Sequence, residues 1–242
     1  MEISNQMMGY DRTSAMFSPD GRLLQVEYAE KTVSTFGSTS IGLVCKDGIL
    51  LIADRGKLDE LAVKESVAKI YEIDEHIAAA GAGILGDIRV LIERARVVAQ
   101  QHRVTYDEPI DTEAVVKEIG DIQQVYSQYG GVRPFGVNFI IAGINVNKEA
   151  KLFITDVTGS YGAYLAGAIG KNSEKIKEEL KKQYKENLSL KEGVKLALSI
   201  FKKILQKAYS IDRFELVIIK KDDTKFRRFF GKQIDDFIKQ TK

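Results

Sequence analysis

The stretch Thr39-Ser40-Ile41-Gly42-Leu43-Val44-Cys45-Lys46-Asp47-Gly48-Ile49-Leu50-Leu51-Ile52-Ala53-Asp54 decides the fold class. Two apolar runs flank Asp47-Gly48, a dipeptide that favours a two-residue hairpin turn. Thr39 to Lys46 is therefore one strand and Ile49 to Asp54 its antiparallel return. Parallel neighbours need a long crossover instead, so this hairpin argues against an alternating βαβ fold.

Downstream, short strands are predicted at Lys69 to Ile73 and Ile77 to Ala80. Two long helices follow. Ile84, Ile88, Leu91, Ala95 and Val98 keep three- and four-residue steps, as do Val115, Ile119, Ile122, Tyr126 and Tyr129. Val137 to Ile144 is nearly all apolar, as in a strand buried on both faces. Leu152 to Asp156 and Tyr161 to Ala168 read as a hairpin around Thr158-Gly159. Helices follow at about Ser173 to Lys185 and Ser189 to Lys207, then a strand at Glu215 to Lys221 and a short helix at Lys232 to Lys239. Upstream, Ser18-Pro19 has the residue types that open a helix. Val26, Ala29 and Val33 continue that helix, which fades near Thr35 to Gly37. Hairpins of strands and pairs of helices imply antiparallel sheets covered by helix layers in an α+β domain.

The 242 residues include 3 prolines and no Ser- or Gly-rich linker, which suggests one domain. The 36 Lys and Arg nearly balance the 34 Asp and Glu, for a net charge of +2. That balance gives no general basis for binding nucleic acid. Cys45 is the only cysteine, so no internal disulfide can form. No apolar run reaches membrane-spanning length, and Met1 to Tyr10 lacks a basic-then-apolar leader pattern. A cytoplasmic chain with no membrane partner is expected.

The most specific residues lie at the start. They are Gly9-Tyr10-Asp11-Arg12, then Phe17-Ser18-Pro19-Asp20-Gly21-Arg22, then Gln25-Val26-Glu27-Tyr28-Ala29. This segment resembles the N-terminal signature of proteasome α subunits, particularly those of archaea. Tyr106-Asp107-Glu108-Pro109, Tyr129-Gly130-Gly131-Val132-Arg133-Pro134-Phe135-Gly136 and Ala142-Gly143-Ile144 are similar to that family too. The resemblance implies a four-layer αββα sandwich of the N-terminal-nucleophile hydrolase type, formed by residues 1–242 as one domain. It implies a homo-heptameric α ring stacked on proteasome β subunits that carry the catalysis. In this reading the α subunit is not itself an enzyme and needs no cofactor.

Residues 1–12 would be a gate tail and residues 18–35 a helix lying over the sandwich. Tyr10, Asp11, Pro19 and Tyr28 match the family's gate cluster. Unfolded protein substrates would pass the gate. A regulatory ATPase ring would insert its C-termini between α subunits, in a pocket matched here by Lys69, Gly37, Gly83 and Ile84. Lysine suits a terminal carboxylate as a point charge. Three departures stand out: Glu30 where a basic residue is common, one extra residue with Phe36 just before Gly37, and an unusual Gly56 to Leu61.

Three other patterns invite different chemistry. Ser38 follows Gly37, with Asp54 and Lys69 nearby in the expected fold, so cleavage at Gly37-Ser38 would free an N-terminal nucleophile. Uncleaved, the Ser38 nitrogen is an amide and cannot serve as the base that a hydroxyl nucleophile needs. Gly81-x-Gly83-x-x-Gly86, with Asp107 downstream, has the spacing of a dinucleotide-binding turn. No strand long enough precedes Asp107 and hairpins dominate upstream, so a tight strand-to-helix turn is the preferred reading. His76, His102 and Cys45 lack metal-ligand spacing, so no metal site is expected.

Overall fold

The computed structural model describes residues 9–57, 59 and 61–239. Residues 1–8 of the expected gate tail, Leu58 and Glu60 of the unusual segment, and residues 240–242 lie outside the described residues. Helix α1 (Leu24–Phe36) leads into the hairpin of β1 (Ser40–Cys45) and β2 (Gly48–Asp54). A 3-10 turn, Lys64–Val67, precedes β3 (Ile70–Asp74) and β4 (Ile77–Gly83). Helices α2 (Leu85–Tyr106) and α3 (Thr112–Gln128) follow, then β5 (Val137–Ile144), β6 (Ala150–Thr155), β7 (Tyr161–Ala163) and β8 (Ala166–Ile169). Helices α4 (Ser173–Gln183) and α5 (Leu190–Leu205), strands β9 (Phe214–Lys220) and β10 (Phe226–Phe230), and α6 (Lys232–Lys239) end the described chain.

The strands form two antiparallel five-stranded sheets, ordered β10-β9-β2-β1-β8 and β3-β4-β5-β6-β7. Alternation along each strand sorts side chains into three apolar layers. On β2, Leu50 and Ile52 face α4, α5 and α6, packing with Ile176, Phe201 and Ile234. Ile49, Leu51 and Ala53 turn the other way and meet Ala80, Ile140 and Ala142 of the second sheet. Phe139 and Ile141 of β5 project outward onto Leu91 and Ile119 of α2 and α3. These are the four layers, helices–sheet–sheet–helices, that the resemblance implies. The apolar run Val137 to Ile144 feeds two layers at once, and Asn138 near its start is its one polar residue.

Helix α1 belongs to the middle layer. Its Val26 and Val33 are buried with Ala78, Ala80 and Ala82 of β4. Alanine on β4 leaves the room that a helix needs, whereas larger side chains there would hold it off the sheet.

Several elements depart from the sequence reading. Ser18-Pro19 does not open α1, which starts at Leu24. Ser18 instead closes a reverse turn: its carbonyl accepts from Gly21 at 2.8 Å, and its hydroxyl accepts from the Arg22 N–H at 3.2 Å. Gly21 has φ +74, a conformation glycine adopts without strain. The hairpin turn is Lys46-Asp47, with Cys45 paired to Gly48. Gly48 is already in the strand, where a Cβ would sit 2.4 Å from the Ile219 carbonyl. Tyr161 to Ala168 is not one strand. The chain leaves the second sheet after β7 and joins the first at β8, with Tyr164 donating to Leu152 and Leu165 accepting from Val44. Strand β10 was unforeseen, because Phe226-Arg227-Arg228-Phe229-Phe230 lacks simple alternation. Helix α2 runs on to Tyr106.

One ion pair fixes the start of α2. Arg133 reaches both Asp87 carboxylate oxygens at 2.7 Å, and the Gly136 N–H adds a third bond at 2.9 Å. Burial works to raise the Asp87 carboxyl, but Arg133 and Gly136 outweigh it and hold it below the usual carboxylate range. A depressed folded-state pKa stabilises the fold above the unfolded value, near pH 4, and that stability is lost as pH falls further. Asp87→Asn is therefore expected to lower stability at pH 7 by about 1–2 kcal/mol. It should also flatten the acid limb of a denaturation series below about pH 4; an unchanged acid limb would contradict this role.

Candidate functional site

A cleft of about 300 Å³ opens where strand ends from both sheets meet the end of α1. Gly37 enters from α1, Asp54 from the end of β2, Lys69 from just before β3 and Gly83 from the end of β4. Larger grooves lie against α2 around Val97 and Val104, and beside α4 around Tyr164 and Tyr184. Neither holds the residues singled out in the sequence. The structure brings Lys69, Gly37 and Gly83 together, and Ile84 sits between Gly83 and Leu85, which also lines the cleft.

Close packing shapes the floor. Gly37 ends α1, donating to Val33 at 2.9 Å, and a Cβ there would lie 3.1 Å from the Ala82 side chain. Gly83 has φ +134, and a Cβ on it would come within 2.0 Å of the Gly136 carbonyl. That carbonyl accepts from the Ile84 N–H at 2.9 Å, which sets the first turn of α2. Two glycines of the Gly81, Gly83 and Gly86 pattern thus answer to close packing, while a Cβ at Gly86 would meet open space. Gly81 makes room for Ile88, and β4 has antiparallel neighbours on both sides. Among the described residues every strand pair is antiparallel, unlike the alternating parallel sheet of a dinucleotide fold.

The charges of the cleft divide into engaged and open groups. Arg213 clamps the Asp54 carboxylate at 3.0 and 2.7 Å, and the Gly56 N–H adds a bond at 2.8 Å. Ser38 donates its hydroxyl to the Asp54 backbone carbonyl at 2.5 Å. So Ser38, Asp54 and Lys69 share a cleft without forming a relay: the hydroxyl meets a backbone oxygen, and the acid faces an arginine. Burial pushes the Lys69 ammonium below its ordinary pKa, and the nearby Glu215 charge partly opposes that. Lys171 lines the same cleft. The lining thus carries three cations, Lys69, Lys171 and Arg55, against one acid that is already paired, which favours an anionic occupant. Phe36 is 80% exposed and Leu85 55%, so two apolar side chains flank the charge. Phe36, just before Gly37 in the segment that is one residue longer than the family pattern, forms part of the rim.

Of the expected gate residues, Tyr10, Asp11 and Pro19 precede α1, and Tyr28 lies within its N-terminal half. Tyr10, Asp11 and Tyr28 are half-buried and Pro19 is exposed. The Gln25 side-chain amide donates to the Asp11 carbonyl, tying this segment to α1. Buried Ser14 donates to the carbonyls of Tyr129 and Val132, each at 3.3 Å. Two family-like stretches far apart in sequence therefore meet through Ser14. Sequence reasoning missed Ser14, Gln25, Lys171 and Arg213, because each acts through a partner that only the tertiary fold supplies. Partial burial and the charges of Asp156 and Glu27 push the Glu30 carboxyl up.

The remaining polar candidates serve the fold. His76 is buried and donates from Nε2 to the Ile110 carbonyl at 2.8 Å. His102 lies against Tyr106 with ring centroids 4.7 Å apart and planes tilted by 45°. Cys45 lies in the core beneath α5, where burial pushes its thiol up to about 12. Among the described residues no helix is long and apolar enough to cross a membrane.

Comparison with known families gives two matches. The family model for the proteasome subunit covers residues 34–219, and the N-terminal signature of A-type proteasome subunits covers residues 10–31. The chain belongs to the proteasome subunit family. Its relatives include the protein named as the alpha subunit of the proteasome in Methanocaldococcus jannaschii, 44% identical over 96% of this chain and 87% of the relative. The proteins of the same name from Pyrococcus horikoshii and Archaeoglobus fulgidus are each 42% identical over 96% of this chain, covering 88% and 94% of their own lengths. The turn at Ser18 and most of helix α1 lie within the A-type signature, so the part of this family member that closes the middle layer is also the part that marks it as alpha type.

Proposed function

We propose that the chain is a non-catalytic subunit of a proteasome core particle, forming a homo-heptameric ring in the cytoplasm. It scaffolds the β ring that performs proteolysis, gates the passage of unfolded protein substrates and docks the C-termini of a regulatory ATPase ring. The observation that carries this reading is the integration of α1 into the core. Burying Val26 and Val33 stabilises the fold by roughly 3–6 kcal/mol as an upper estimate. Freeing Ser38 as a nucleophile would require losing that helix. With α1 in place, the Ser38 nitrogen is a peptide amide and its hydroxyl is held by the Asp54 carbonyl.

The docking part rests on the cleft. Lys69 offers a half-buried cation, Lys171 a second, and Phe36 and Leu85 an apolar rim. A chain end with a terminal carboxylate and an apolar neighbour matches that lining. The gating part rests on the segment from Gly9 to Ser14, which is anchored to α1 by Gln25 and to the Tyr129 to Val132 loop by Ser14.

Lys69→Ala in a reconstituted core particle is expected to weaken activator binding by about tenfold or more while the ring still assembles. Full stimulation by the activator would remove Lys69 from the docking site. Deleting residues 1–12 is expected to raise activator-independent peptide hydrolysis by the particle, and an unchanged rate would show that this segment does not restrict access.

A further inference from the structure

A fully buried acid lies directly behind the cleft. Glu215 is the second residue of β9, in register with Ala53 of β2 and Phe230 of β10, and it is 0% exposed. Val217 and Ile219, on the same face, pack in the layer between the sheets. Core packing alone would be served by an apolar residue, because removing a carboxylate from water costs several kcal/mol. The surroundings show what this charge does. Oε2 accepts the Lys69 N–H at 2.7 Å, and the Ile70 N–H also bonds to the carboxylate. Arg228 of β10 brings Nε to 3.0 Å from Oε1, off the hydrogen-bond axis, and its Nη2 donates to the Ile70 carbonyl at 2.6 Å. The Arg228 guanidinium lies over the Phe226 ring at 5.1 Å.

We propose that Glu215, held by Arg228, is the positioning residue for Lys69, stapling the backbone that carries this lysine in the sheet β3-β4-β5-β6-β7 to the edge of the opposite sheet. Lys69 precedes β3 and has no partner in the β3–β4 ladder, which starts at Ile70. Its peptide N–H is fixed by Glu215. Strands β3 and β10 are each the edge of their own sheet, so the pair closes one side of the sandwich and places Lys69 at the cleft in the same step. The carboxylate also supports the positive charge of Lys69 against burial. The functional value of this staple rests on the docking reading of the cleft; its geometry does not.

The test is competitive acetylation of the assembled ring with acetic anhydride, comparing Lys69 with Lys171 in the same sample by mass spectrometry. Glu215→Gln keeps the shape and an acceptor but removes the charge. Its Lys69:Lys171 ratio is expected to rise about threefold or more, the change that half a pKa unit produces. Glu215→Asp draws the carboxylate back by one methylene, so a smaller rise in the same direction is expected, and it stands in if the Gln variant does not assemble. A merely structural role would lower the melting temperature and leave the ratio unmoved, so an unchanged ratio in an assembled variant overturns the proposal. Activator affinity of Lys69→Ala is measured alongside. If that affinity is unchanged, the docking reading fails while the acetylation result still decides the role of Glu215.

Discussion

Val26 and Val33 of α1 press against the alanines of β4 and close the apolar layer between the two sheets. Much of the site depends on this contact. Because α1 must end at the sheet, its C-cap is Gly37, set against Ala82 and Gly83 where a side chain would not fit. Because α1 ends there, Ser38 enters β1 as an ordinary peptide unit, and the cleft opens beside it. The same helix anchors the segment before it through Gln25. A single packed helix thus separates a scaffold from a chain that could expose an N-terminal nucleophile.

The second constraint is polar. Three arginines bind the acids around the cleft, and Lys69, Lys171 and Arg55 line it as cations. Arg213 takes Asp54, Arg228 takes Glu215, and Arg133 takes Asp87 at the start of α2. Guanidinium groups suit such half-buried pairs because they present a planar fork to a carboxylate. The Arg213–Asp54 and Arg133–Asp87 pairs join elements distant in sequence, whereas Arg228–Glu215 links the neighbouring strands β10 and β9. The cost of burying Glu215 is offset only in part by two backbone N–H groups, Arg228 and Arg55, so burial still pushes its carboxyl up; the carboxylate fixes the position of Lys69.

Local signals in the sequence were enough to place most elements. Val137 to Ile144, the helical steps of Ile88, Leu91 and Ala95, and the hairpin near Asp47 all reflect short-range periodicity, and each corresponds to an element of the structure. Failures occurred where tertiary context decides. Ser18-Pro19 has helix-opening residue types, yet Gly21 turns the chain first. Tyr161 to Ala168 is continuous in pattern but changes sheet at Tyr164. The basic pair Arg227-Arg228 obscured β10, because Arg228 faces a buried acid rather than water. The site was legible in part: Lys69, Gly37 and Gly83 do converge, while Lys171, Glu215 and Ser14 have no meaning until distant strands are assembled.

Native mass spectrometry of the purified chain tests the central claim most directly, since it gives the mass of each protomer and the size of the assembly together. Intact protomers of 27.0 kDa, in closed assemblies of about seven or fourteen copies, are the expected result and mean that α1 stays in place over Ser38. A protomer shortened by the residues up to Gly37 would contradict the scaffold reading and make Ser38 the N-terminal nucleophile of a hydrolase.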